Sequence, residues 1–208
     1  MNKPHSPYTA AITGGGFLYE ETCILLPLLL SDNREELLRD EALNNRLLHI
    51  NSETSRKRNI AEISRRYDTM PASFWTRFQS MDQDDQKVAL FFVILKTYKI
   101  CFDLHINVTM RKWNSISKKV EHDDLMMEFN EIAAKDQFVD SWSDATKKRV
   151  ASAYLTILRK INMIRPDSSL TSIQCSNWRL YIELGEMWFL EASLLQPYQI
   201  ENIKKELL

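Results

Sequence analysis

Asp84-Asp85-Gln86-Lys87-Val88-Ala89-Leu90-Phe91-Phe92-Val93-Ile94-Leu95-Lys96-Thr97-Tyr98-Lys99-Ile100-Cys101-Phe102-Asp103-Leu104-His105-Ile106-Asn107 reads as one central helix. Asp82 or Asp84 is placed to cap it, and from Val88 to Leu95 almost no polar face remains. A helix that is apolar all round belongs in the middle of a bundle. Lys96, Lys99 and Asp103 interrupt the run, so it falls short of the roughly 20 predominantly apolar residues that span a bilayer. The other apolar run, Ile24 to Leu30, is shorter and contains Pro27. No membrane partner is expected.

Outward from that helix, the chain keeps a helical rhythm. Only 4 Gly and 6 Pro occur among 208 residues, too few turn formers for an all-β chain of this size. Phe17 to Leu30 forms an apolar helix that Pro27 should kink or end. A second helix, Asn33 to His49, turns Leu37, Leu38, Leu43, Leu47 and Leu48 inward and Glu35, Glu36, Asp40 and Glu41 outward. Ser52 or Thr54 caps a third, Thr54 to Tyr67, whose Ile60, Ile63 and Tyr67 form an apolar stripe. Pro71 opens a short helix carrying Phe74, Trp75 and Phe78.

Arg111 to Lys119 reads as a basic linker, and it divides the chain into an N-terminal helical domain, 1–110, and a C-terminal one, 111–208. In the second half, Asp123 to Asp136 is amphipathic through Leu125, Phe129 and Ile132, and Ser143 caps a longer helix, Asp144 to Ile164. Between Ile173 and Leu184 apolar residues alternate around Ser176-Asn177, the pattern of a short β-hairpin. Trp178, Tyr181 and Ile182 also suit a helix, and both readings stay open. Two closing helices follow, Glu186 to Leu195 and Pro197 to Leu208. The fold class is all-α, in two helical subdomains with helix-turn-helix-like parts.

Charge is segregated although the net charge is only −1. Arg46 to Arg66 holds six basic and two acidic residues, and Lys147 to Arg165 holds six basic and no acidic ones. Glu20 to Glu41 holds seven acidic against two basic residues, and Glu121 to Asp144 holds eight against one. Most charge runs merely solvate the outer face of a helix. A near-neutral chain with basic helices set apart is also what a nucleic-acid binder with one working face shows. On that reading Arg56, Lys57, Arg58, Arg65 and Arg66 contact phosphates, with Arg58 or Arg65 reaching a groove, and Lys148, Arg149, Arg159 and Lys160 form a second surface. A basic helix followed by a hairpin would suit a winged-helix module.

Other candidates are weaker. Thr13-Gly14-Gly15-Gly16 is either a flexible helix entry or a nest of N–H groups for an anion; no Gly-Lys-Ser/Thr follows, so it is not a nucleotide P-loop. Cys101 and His105 share a helix face but have no further ligands for zinc. His5, His49 and His122 lack metal spacing, and no nucleophile elbow or nuclease pattern occurs. Neither an enzyme nor a cofactor is expected. Cys23, Cys101 and Cys175 are odd in number and far apart, which fits reduced thiols in a cytosol, and Met1 to Ala11 lacks the form of a signal peptide.

The segment Tyr8-Thr9-Ala10-Ala11-Ile12-Thr13-Gly14-Gly15-Gly16-Phe17-Leu18-Tyr19-Glu20-Glu21, with the basic helix Arg56 to Tyr67 and the following Trp75, resembles BrxA, a small component of BREX bacteriophage-defence systems. Relatives tend to carry Gly before the apolar pair Met163-Ile164, where this chain has Asn162. The resemblance implies an all-helical fold with helix-turn-helix-like parts, likeness to the RNA-binding antitermination protein NusB, and DNA or RNA together with other BREX proteins as partners. The competing class is a protein–protein adaptor docking through Trp75, Trp113 and Trp188, its basic faces merely solvated.

Overall fold

The structure is a computed structural model, and it describes residues 6–207. A 3₁₀ turn, Ala11–Gly14, leads into α1 (Tyr19–Leu29), α2 (Arg34–Asn44), α3 (Glu53–Tyr67), α4 (Ala72–Gln79) and α5 (Gln83–Thr97). α6 (Lys99–Leu104) runs through a π-helical turn, His105–Thr109, into α7 (Met110–Trp113). The chain closes with α8 (His122–Ala133), α9 (Gln137–Asp140), α10 (Asp144–Lys160), α11 (Trp178–Glu183), α12 (Trp188–Ala192) and α13 (Pro197–Leu207). The fold is all-α. Among the described residues the only β pairing is two isolated antiparallel bridges, Lys119–Ser169 and Ile164–Leu170.

The caps explain the helix starts. Ser52 accepts from the Ser55 N–H, Asp82 from Asp85, Asp136 from Val139 and Ser143 from Thr146. Each thereby satisfies a donor that helix geometry leaves free, which contributes about 1 kcal/mol. Glu121 and Asp124 close a reciprocal capping box on α8.

α5 is the axis of the core: every residue from Val88 to Leu95 is buried. Phe92 meets Phe74 of α4, Tyr181 of α11 and Phe189 of α12, so elements from both halves pack on one ring. The helix read from the sequence as continuous to Asn107 breaks at Tyr98, which adopts an extended conformation (φ −118°, ψ 102°). No Pro or Gly causes the break. The Tyr98 hydroxyl, buried, donates to the Glu62 carboxylate (2.7 Å) and accepts from Arg66 Nε (3.0 Å).

That arginine is fully buried. Its remaining nitrogens donate to the carbonyls of Phe17 (2.7 Å) and Gly16 (2.6 Å). A buried cation is tolerated when it is hydrogen-bonded and a counter-charge lies near, here Glu62 through Tyr98. The same clamp decides how the glycine segment is held. Gly15 and Gly16 both direct their N–H groups at the Ile12 carbonyl, so the turn is a helix entry and not an open nest of donors. Gly16 has φ +64°, and a Cβ on Gly15 would overlap the Leu18 side chain.

Several expectations are corrected. The hairpin over Ile173 to Leu184 does not form: residues 171–177 run without regular structure and Trp178–Glu183 is helical. The i, i+3 pair Trp178 and Tyr181 packs ring on ring at a tilt of 52°, and Tyr181 packs on Phe92 and Phe189, which outweighs the period-2 alternation. α2 stops at Asn44 because Asn45 turns left-handed (φ 51°). Leu43 and Leu47 are therefore exposed. Glu41, read as outward, is buried and accepts the N–H groups of Arg46, Leu47 and Leu48. Trp75 is a core residue and donates to the Tyr67 carbonyl.

α10 ends as a Schellman turn. Asn162 is left-handed (φ 58°), its N–H bonds the Arg159 carbonyl, and the Met163 N–H bonds that of Leu158. Asn after Gly is the residue best suited to that conformation, so the substitution keeps the turn.

Three outcomes test this account. Arg66→Ala should lower unfolding stability by about 3–5 kcal/mol, since it orphans two carbonyls and a carboxylate network. Denaturant titration checks this, and unchanged stability with weakened nucleic-acid affinity would make Arg66 a contact residue instead. Gly16→Val should cost at least about 1–2 kcal/mol, the left-handed penalty for a side chain. His105 is buried between the Tyr154 hydroxyl (2.7 Å) and the Ala192 carbonyl (2.7 Å), and burial pulls it down from 6.5 to about 4. The carbonyl can only accept, so Nε2 carries the proton and Nδ1 accepts from Tyr154. The unfolded chain takes up that proton first as pH falls, so stability should drop between about pH 6.5 and 4 with a slope near 1.4 kcal/mol per unit. In His105→Gln this contribution to the slope should vanish.

Candidate nucleic-acid interface

The basic residues read from the sequence divide by helical phase. On α3 the buried face comprises Arg56, Asn59, Ile60, Glu62, Ile63, Arg66 and Tyr67. Arg56 lies one turn before Ile60 and Arg66 three residues after Ile63, so both fall in register with the apolar stripe. Arg56 reaches the last turn of α2 and the following loop, donating to the carbonyls of Ala42 (3.1 Å), Leu43 (3.3 Å), Ile50 (2.5 Å) and Asn51 (3.2 Å). It satisfies helix-end acceptors that would otherwise be unpaired. Arg56 and Arg66 are thus internal braces with every guanidinium nitrogen engaged. The expectation that they touch phosphate is corrected on that ground. The signal that reveals this was present in the spacing itself.

The remaining seven are exposed: Lys57, Arg58, Arg65, Lys148, Arg149, Arg159 and Lys160. Lys57 pairs with Glu53 (2.5 Å) and Arg65 with the buried Glu62 (3.5 Å). Arg58 lays its aliphatic stem against Gly14, where an added Cβ would meet Cδ at 3.0 Å. Among the described residues Arg58 has no ion pair, and neither does any cation from Lys147 to Arg165. Elsewhere pairing is common: Arg34 with Asp68, Arg77 with Glu183, Lys99 with Asp103, Lys112 with Asp124. The acid-free stretch of sequence is therefore also free of carboxylate partners in space.

The two basic helices have a common neighbour, because the Ala11–Gly14 turn packs against both α3 and α10. Residues 45–52 connect α2 to α3, with Asn45 and His49 left-handed (φ 51° and 52°). That connection is longer than the roughly three to four residues of the usual helix-turn-helix, and Arg56 and Glu41 hold it from within. The turn between α3 and α4 is shorter, residues 68–71. With no hairpin after α10, the winged-helix expectation for the second half is also corrected.

No group of three or more His, Cys, Asp or Glu among the described residues could hold a metal ion. Burial pushes the Cys101 thiol up to about 12, so it packs as an apolar group. Among the described residues no helix is long and apolar enough to cross a membrane.

Comparison with known proteins agrees with the architecture. The crystal structure of an uncharacterized protein from Magnetospirillum magneticum is similar, with a TM-score of 0.79 at 20% identity, covering 90% of this chain and 98% of that one. At that identity the likeness concerns the fold alone. No curated protein matches the chain. The family model BrxA matches residues 6–176, a span that includes the clamped glycine turn, α3 and α10. The chain belongs to the BrxA family.

Proposed function

We propose that this protein is a non-enzymatic component of a BREX phage-defence system that binds nucleic acid, double-stranded DNA above all. Family membership supports the association with BREX. The observation that carries the binding reading is the run of exposed, unpaired cations on α10, Lys148, Arg149, Arg159 and Lys160, joined by Arg58 on α3. A helix face that carries several cations without ion pairs is suited to a partner that supplies the negative charge. Lys57 and Arg65 stand beside them, each already tethered by an acid. In this reading phosphate contacts dominate affinity, and other BREX proteins complete the assembly.

The adaptor alternative loses one support, since Trp75 is buried in the core. Trp113 and Trp188 remain half-buried, Trp113 beneath the Lys118 ammonium at 4.2 Å. An RNA-binding role akin to NusB is distinguished from the DNA reading by the choice of probe.

Affinity for duplex DNA should fall linearly in log K against log salt. Lys148→Ala, Arg159→Ala should make the slope shallower by about two units, at about 0.9 for each lost phosphate contact. Arg58→Glu should weaken binding at low salt with little change in melting. Arg65 is best left in place, because its partner Glu62 belongs to the buried Arg66 network. Absence of DNA and RNA binding by the wild-type protein at low salt would transfer the function to the adaptor class.

A further inference from the structure

Where α10 ends, the chain folds a cleft of about 530 Å³. The left-handed Asn162 turns the backbone out of the helix, Ile164 pairs with Leu170, and the Thr171 N–H returns to the Met163 carbonyl (2.9 Å). That return carries residues 171–174 past the first turns of α5. The cleft therefore gathers cations from three separate segments: Lys87 from α5, Lys160 from the end of α10, and Arg165 from the loop.

Two features distinguish it from an ordinary surface groove. Lys160 and Arg165 have no ion pair among the described residues, and the one carboxylate on the wall, Asp84, is 73% exposed and sits 3.6 Å from Lys87. The neutral groups are also unengaged. The hydroxyls of Thr171 and Ser172 and the amide of Asn162 make no side-chain hydrogen bond to any described residue. Converging cations and idle neutral donors match a small oxyanion with several acceptor oxygens, each ready for a charge-assisted hydrogen bond. Val88 and Ile161 are the buried apolar members of the lining, while Lys160 and Arg165 stay exposed to an incoming anion.

We propose that this cleft is a seat for a phosphate group, gripping one phosphate of a strand that lies along the α10 cations. The proposal rests on the nucleic-acid reading for the source of that phosphate, but the chemistry of the seat is testable without it. Backbone amide shifts of the wild-type protein would be followed during titration with adenosine 5′-monophosphate, with adenosine as the phosphate-free control. The monophosphate should move amides in 160–165 and 171–174 while adenosine leaves them in place. Lys160→Ala, Arg165→Ala should abolish those shifts and make the salt slope for duplex DNA shallower by about 0.9, the share of one phosphate.

Shifts with the monophosphate but an unchanged duplex slope would support the seat and identify a free nucleotide as its source. A shallower duplex slope without monophosphate shifts would support it as a backbone-phosphate contact. If the wild-type protein binds no nucleic acid, the broader function fails, and the monophosphate titration alone decides the cleft. Neither shifts nor a changed slope overturns the proposal.

Discussion

The rest of the molecule depends on one buried guanidinium. Arg66 joins three parts of the chain that share no secondary structure: the glycine turn through the carbonyls of Gly16 and Phe17, α3 on which it stands, and the break in the central helix at Tyr98. The planar guanidinium spreads its donors over three nitrogens in fixed directions and so faces two carbonyls and a phenol at once, a geometry that the compact ammonium of a lysine does not reproduce. Burial pushes the Tyr98 phenol up, so the hydroxyl stays protonated and continues the chain of donors to Glu62. The charge of the arginine is thereby answered at one remove, and the N-terminal turn is locked where both basic helices rest on it.

The core has a second organising group beyond the family match. Residues up to 176 are covered by the BrxA model, yet Tyr181 and Phe189, which lie after it, pack against Phe92 in the centre of α5. Lys96 on α5 bonds Glu186, and the Asp85 carboxylate accepts from Ser176 and Asn177, so the last helices are tied to α5 by charge as well as by rings. The π-helical turn at His105–Thr109 brings His105 and Thr109 to the same Tyr154 hydroxyl of α10. The two residues are four positions apart, neighbours on one helix face, so both reach a single buried partner.

α3 and α10 show how similar composition leads to opposite uses. Both are rich in arginine and lysine and both carry an apolar stripe. On α3 two of the five cations fall inside the stripe's phase and become internal braces, while two of the others are held by Glu53 and Glu62. On α10 the exposed cations Lys148, Arg149, Arg159 and Lys160 make no ion pair with any described residue. α10 and the cleft beyond its end thus carry a run of cations without ion pairs among the described residues.

Much of this was legible in the sequence because it is local. Caps at Ser52 and Ser143, the stripe of α3, the all-apolar first half of α5 and the scarcity of turn residues depend on neighbours within a few positions, and they determine an all-helical chain. The placement of Arg56 was legible too, through its four-residue spacing from Ile60, although a charged residue in a basic run invites the opposite reading. What only the tertiary structure decided involves partners far along the chain. The break at Tyr98 follows from Arg66 and Glu62, more than thirty residues away. The helix at Trp178 follows from Phe92 and Phe189. Alternation and helical spacing were equally satisfied there, and only the burial of Tyr181 between those rings separated them, because hydrophobic burial acts between surfaces that sequence order does not bring together.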